Sequence, residues 1–191
     1  MAAAAERSRI LDAAYRCLHR DGAPVSVTAI LAEAGLSTRA FYRHFDSKDT
    51  LVLAMLRQDT ERVHAALTEA ATTAPTAAEA LRRWIEGFLS LATDPAERPH
   101  VLVMASEELP HTLGYAAERA RLTNAHRSAL SAILTRGRAD GTLPRADPPA
   151  DARVIASALL DTFHGLLCDP SDPPAATGPL LGFTFRALGA A

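Results

Sequence analysis

Apolar residues recur at intervals of three and four along most of the chain, and the strict alternation of a half-buried strand is scarce. Ile10, Leu11, Ala14, Tyr15 and Leu18 share one face of a first helix, with Arg7, Arg9, Arg16 and Arg20 elsewhere on it. Asp21-Gly22 ends that helix, because glycine adopts the left-handed turn at a helix C-terminus most cheaply. Pro24 and Ser26 open a short second helix over residues 27–34, stopped by Gly35, and a third is expected over 38–45. Ser47 reads as the N-cap of a long fourth helix, and a polar stretch with Pro75 follows it. Thr76-Ala-Ala-Glu79 has the form of a capping box for a fifth helix carrying Leu81, Trp84, Ile85, Phe88 and Leu91. Pro99 suits the first turn of a sixth, with Val101, Leu102 and Met104, and Leu109-Pro110 breaks it. Residues 112–138 form a long seventh helix that Gly141 closes. Asp147-Pro148-Pro149 opens an eighth, reaching Cys168; the proline-rich stretch 170–179 is expected to be a loop, with Pro179 opening a ninth helix.

The pattern predicts an all-α fold of about nine helices in two parts. A three-helix N-terminal domain, residues 1–47, is too small to bury much alone. A larger helical domain, residues 48–191, follows it, and the fourth helix is expected to pack against both. In the first part, Ile30, Ala34, Leu36, Phe41 and Phe45 supply the apolar inside of two short helices meeting at Gly35. That is helix-turn-helix spacing, whose second helix enters a major groove. Its outward residues, Thr38, Arg39, Tyr42, Arg43 and His44, all donate hydrogen bonds and are not needed by a core. A surface helix whose Tyr and Arg stems merely cover apolar ground is the competing account.

Charge sharpens this picture. The 191 residues carry 20 basic and 22 acidic side chains, a net of −2, so bulk attraction to nucleic acid is excluded. Between Ser37 and Lys48, however, Arg39, Arg43 and Lys48 face only Asp46. Any grip on a polyanion is therefore local. Cys17 and Cys168 lie far apart, which gives neither a disulfide framework nor a zinc ribbon, and both read as small buried hydrophobes. No apolar run is long enough for a membrane span, and the first residues lack the basic and apolar regions of a signal peptide, so a cytoplasmic location is expected. One lysine against nineteen arginines, with abundant alanine, has the look of a GC-rich bacterial coding sequence.

Three blocks in order, Gly35-Leu-Ser37, Phe41-Tyr42-Arg43-His44-Phe45 and Ser47-Lys48-Asp49-x-Leu51, resemble the signature of the TetR family of bacterial transcriptional regulators. Beyond about residue 55 the resemblance is one of architecture. It implies that Tyr42 and Lys48 grip phosphate, with Thr28 and Ser37 as further candidate DNA contacts, while Thr38, Arg39, Arg43 and His44 stand near base edges. Arg39 is best shaped to fork onto guanine O6 and N7. Leu31 stands where a small alanine is usual, and Arg39-Ala40 replace a common Gly-Thr, so base preference does not carry over from relatives.

The eighth helix is apolar almost all round, and the ninth repeats the pattern. The resemblance implies a two-fold four-helix contact, for which Val154, Ile155, Leu159, Phe163, Leu166, Leu181, Phe185 and Leu188 are candidates; a doubly buried core helix within a monomer is the alternative. The resemblance likewise implies a ligand site among helices four to seven. Its candidates are Trp84, Phe88, Met104, Tyr115 and Phe163 as lining, and Glu107, His111, His126 and His164 as polar anchors. No metal-ligand spacing, glycine-rich phosphate loop, nucleophile elbow or carboxylate dyad is present, so neither metal nor cofactor nor enzyme activity is expected. The expectation is a homodimeric repressor released from a palindromic operator by a small molecule. A protein-interaction module that no longer reads DNA is the alternative.

Overall fold

The computed structural model describes residues 2–21, 26–104 and 109–190. Nine α-helices and one 3-10 turn, and no strand, occur among the described residues. In chain order they are α1 (Ala2–Asp21), α2 (Val27–Ala34), α3 (Thr38–Tyr42), α4 (Lys48–Thr72), α5 (Ala77–Ser90), α6 (Arg98–Met104), a 3-10 turn (Leu109–His111), α7 (Tyr115–Ala139), α8 (Pro148–Cys168) and α9 (Pro173–Leu188). None of these helices is long and apolar enough to cross a membrane. The Gly22 stop and Pro24 start expected from sequence lie outside the described residues.

By packing the chain divides into two compact units, one of Met1–Asp59 with Pro99–Arg119, the other of Thr60–Arg98 with Ala120–Ala191. All three boundaries fall inside helices, and α4 and α7 each contribute to both units. The division at residue 47 drawn from sequence is one of role; packing groups the start of α4 and the segment 99–119 with the first three helices.

The N-terminal unit has its own core of Ile10, Leu11, Ala14 and Cys17 from α1, Ile30 and Leu31 from α2, Phe41 and Phe45, and Leu51 and Met55 from α4. Burying side chains of this size is worth about 1.5–3 kcal/mol each. Tyr15 fastens α1 to α4 by donating its hydroxyl to the Met55 carbonyl at 3.1 Å. In the C-terminal unit α5 buries Leu81, Trp84, Ile85 and Phe88 and packs on α8 and α9, which contribute Ile155, Leu159, Phe163, Leu166 and Leu188. Arg98 donates to the carbonyls of Leu166 and Leu167 at 3.4 and 3.0 Å, answering acceptors that the last turn of α8 leaves open.

The caps mostly follow the sequence. Thr76 Oγ1 accepts from the Glu79 N–H at 3.2 Å, while the Glu79 carboxylate pairs with Arg83. Three elements differ. α3 stops at Tyr42, leaving Arg43 and His44 in the following turn. Asp147 precedes α8 without a side-chain cap bond; instead its N–H donates to Asp151 Oδ2 at 2.7 Å. The proline-rich segment is largely helical: Asp172 caps α9 through the Ala175 N–H at 3.0 Å, and Pro173 and Pro174 occupy the first turn, where a missing N–H has no helical acceptor to lose. Pro179 sits inside that helix rather than opening it. Cys17 is buried as expected, but Cys168 is exposed at the end of α8.

Candidate nucleic-acid interface

The turn between α2 and α3 is built from three short-range devices. Ser26 Oγ accepts from the Ala29 N–H and starts α2. Gly35 ends it at φ 62°, a left-handed conformation that would strain any side chain, and the Leu36 N–H then donates to the Leu31 carbonyl at 3.0 Å. Ser37 Oγ accepts from the Ala40 N–H at 3.3 Å and starts α3. One face of α3 is fixed by Ala40 and Phe41, the latter fully buried with its ring 5.6 Å from that of Phe45. Leu31, larger than the residue usual at its place, is accommodated in the same core at 6% exposure.

The opposite face is open to solvent. Thr38, Arg39, Tyr42 and Arg43 are exposed, Tyr42 at 60%, and Thr28 and Ser37 are exposed beside them. At the start of α4, Ser47 and Thr50 cap each other: the Thr50 N–H donates to Ser47 Oγ, and the Ser47 N–H to Thr50 Oγ1. That holds Lys48 at a helix N-terminus, where unpaired N–H groups favour an anion. Thr28, Ser37, Thr38, Arg39, Tyr42, Arg43 and Lys48 thus belong to one small unit and are rigidly based.

His44 departs from this. Its side chain is only 10% exposed, and Nε2 lies 3.1 Å from Glu6 Oε2, so it faces inward rather than toward a base edge. Arg43 is also engaged: one guanidinium nitrogen, Nη2, donates to both oxygens of Glu6, at 3.1 and 2.9 Å. The His44 bond, then the Arg43 charge, hold the Glu6 carboxyl below the usual carboxylate range, against the opposing effect of desolvation. Glu6 is the residue that the sequence pattern missed, since it lies 37 positions from Arg43 with no local signal to connect them. Farther round, Arg9 donates to the Ala34 carbonyl at 2.7 Å and caps α2, while Arg16 and Arg20 close on Glu33.

Residues 10–55 match the family profile described as bacterial regulatory proteins, tetR family. The N-terminal region is thus similar to that of TetR-family regulators. Over 63 residues it is 43% identical to the HTH-type transcriptional repressor Rv1474c of Mycobacterium tuberculosis; the match covers 32% of this chain and about a third of that protein's length, 34%. Among solved structures it resembles the SmeT–triclosan complex, at TM-score 0.76 and 24% identity over 96% of this chain and 91% of that one. It also resembles the regulator FadR of Bacillus subtilis in complex with stearoyl-CoA, at TM-score 0.76 and 19% identity over 94% and 98% of the two chains. At these identities the likeness to both is one of fold, and it extends over both units of the chain.

In the C-terminal unit four of the expected ligand residues come together. The Phe88 ring stands 5.2 Å from His126 and 4.9 Å from Phe163, and Trp84 lies 6.0 Å from His126. His64 of α4, not singled out from sequence, joins them 5.7 Å from both Trp84 and His126. Its spacing from the buried Leu67 and Ala71 on the same face of α4 was the available signal. Burial, and secondarily the charge of His64, push His126 down to about 4, so it is neutral at pH 7. Tyr115 and His111 group instead with the N-terminal unit, His111 exposed, and His164 is exposed on α8. Glu107 and the Met104 side chain lie outside the described residues. A groove of about 470 Å³ beside α7 and α8 is lined by Arg127, Ser128, Ser131 and Thr135 and by none of the expected ligand residues.

Burial divides the expected dimer face. Ile155, Leu159, Phe163, Leu166 and Leu188 are buried within their own chain. Phe185 is half-buried with the Arg82 guanidinium 4.9 Å over its ring, and Leu181 is half-buried. Val154 and Phe183, each 57% exposed, are the large apolar side chains that α8 and α9 leave open to solvent.

Proposed function

We propose that this chain is a DNA-binding transcriptional repressor that acts as a homodimer on a palindromic operator and is released by a small-molecule effector. The observation that carries the DNA-binding part is the one-sided α3: Ala40 and Phe41 anchor it, while Thr38, Arg39, Tyr42 and Arg43 stand exposed beside a helix-terminal Lys48. Phosphate contacts set register and affinity, and base-edge contacts from Arg39 would carry sequence preference. The family-profile match over residues 10–55 supports regulation rather than catalysis, and the curated relative that matches over 63 residues is named a transcriptional repressor.

One such module presents too little charge for tight binding. A second copy would place two reading heads on successive turns of the major groove, which is why a palindrome is expected. The exposed Val154 and Phe183 on α8 and α9 support a two-fold contact there. The complexes of SmeT with triclosan and of FadR with stearoyl-CoA support a small-molecule effector. An effector held in the C-terminal unit would act by differential affinity, favouring one arrangement of α4, the helix that serves both units.

The test is a selection from random DNA by the purified protein, followed by gel shifts over a salt series. Binding should give a log-log slope that flattens by about 0.9 for each phosphate contact removed, as in Lys48→Ala or Tyr42→Phe. Arg39→Ala should relax sequence preference more than it flattens the slope. A slope near zero, or a selection that enriches no motif, overturns the DNA-binding proposal. Equal operator affinity with and without a bound effector overturns its regulation.

A further inference from the structure

Three ring nitrogens inside the C-terminal unit find no hydrogen-bond partner among the described residues: Nδ1 of His64, Nε1 of Trp84 and Nδ1 of His126. The three rings form a closed triangle, with centroids 5.7, 5.7 and 6.0 Å apart, contributed by α4, α5 and α7. Trp84 is 1% exposed, and buried polar groups are almost always paired, so three orphans in one cluster call for a common explanation. Their mutual edge-to-face contacts supply only weak N–H to ring attraction. Phe88 and Phe163 continue the cluster as an apolar wall.

The chemistry of the three groups is selective. An indole N–H donates and never accepts, so it requires an acceptor. Each neutral imidazole offers one donor and one lone pair. The cluster resists gaining positive charge: burial, then the neighbouring His64, keep His126 unprotonated. An ammonium has no lone pair and leaves the Trp84 N–H unanswered, whereas an oxygen can accept from Trp84 and be held by an imidazole at once.

We propose that His64, Trp84 and His126 form the polar end of a ligand site that takes an apolar molecule bearing a single hydroxyl or carboxylate and rejects the corresponding amine. The proposal rests on the reading of the C-terminal unit as effector-binding and adds the class of effector. Trp84 donates to the ligand oxygen, His126 and His64 fix its orientation, and Phe88 and Phe163 cover the hydrocarbon.

The chain holds a single tryptophan, so its emission reports on this site directly. The full-length protein would be titrated with 1-octanol, octanoate and octylammonium, three probes with the same tail. The two oxygen probes should change Trp84 emission saturably, and octylammonium should need at least about tenfold higher concentration. The ratio of octanoate to octanol affinity separates an acid from an alcohol as the preferred class. His126→Leu should weaken both oxygen probes about tenfold, and His126→Asn, which keeps an N–H at that place, should restore most of the loss. If His126→Leu fails to fold, His64→Leu provides the same comparison. Octylammonium binding as tightly as the oxygen probes, no saturable response to either of them, or unchanged affinity in the leucine variants overturns the proposal. Its failure is distinguishable from that of the regulatory reading. Oxygen probes that bind while operator affinity stays constant remove the regulation and keep the site. An effector that releases DNA without altering Trp84 emission removes the site and keeps the regulation.

Discussion

A buried neutral histidine makes stability depend on pH in a window that ordinary carboxylates leave empty. His126 is pushed down to about 4, first by burial and then by His64, whereas in the unfolded chain it titrates near the ordinary histidine value of 6.5. Below pH 6.5 the unfolded chain therefore takes up a proton that the folded chain refuses. The stability contributed by the neutral ring is complete above that value and is lost progressively as pH falls toward 4. With these two values, moving from pH 8 to pH 5.5 removes about 1.4 kcal/mol, and complete protonation of the unfolded chain removes about 3 kcal/mol. At an m-value of about 2 kcal/mol/M, the first figure lowers a urea midpoint by about 0.7 M.

The perturbation is His126→Gln, which is neutral at every pH. Urea unfolding of the wild type and variant at pH 8 and 5.5, at one protein concentration, isolates the ring, because the other groups titrate in both proteins. The wild type should lose about 0.7 M more of its midpoint than the variant. An NMR titration of the His126 ring should show its midpoint near 4. Parallel losses in the two proteins, or a ring that titrates near 6.5, would refute the argument that this imidazole is desolvated among Phe88, Trp84 and His64. Glu6, Glu33 and Asp140, all held below the carboxylate range, lose their contributions only at lower pH, below their ordinary values, so they do not confuse the comparison.

Other outcomes follow from single contacts. Glu6→Gln frees Arg43 from a carboxylate that competes with phosphate for it; DNA binding should tighten and its log-log salt slope should steepen by about 0.9, whereas an unchanged slope would show that Arg43 does not meet phosphate. Gly137→Ala would set a Cβ 2.5–2.7 Å from the side chain of Leu143, which is fully buried and cannot swing away, so about 1–3 kcal/mol of overpacking should outweigh the helix-propensity gain and lower Tm by several degrees in calorimetry. Phe183→Asp, at an exposed site on α9, should give a monomer by light scattering with unchanged helical circular dichroism; a dimer that persists would place the contact elsewhere.

The difference between what the sequence disclosed and what it concealed follows the range of the interaction. Ser26, Gly35, Ser37 and Thr76 act on backbone groups within a few positions, and each could be placed from the chain alone. Prolines 173 and 174 misled because the same residue type suits a loop and the first turn of a helix, and only Asp172 at the cap decides between them. Helix α8 is apolar all round, a pattern that does not say which positions its own chain covers; burial assigns Ile155, Leu159 and Leu166 inward and leaves Val154 out. The same limit bears on the reading head itself. Counted along the chain, the stretch from Ser37 to Lys48 carries an excess of positive charge, and Arg43 is part of it. In space, Glu6 reaches in from α1 and neutralises that residue. On the proposed reading, Arg43 would meet a duplex only when phosphate displaces a carboxylate already in place. Such an exchange would make weak, random contacts cheaper to break than well-fitted ones, and it would tie discrimination between DNA sites to Glu6, a residue outside the helix-turn-helix altogether.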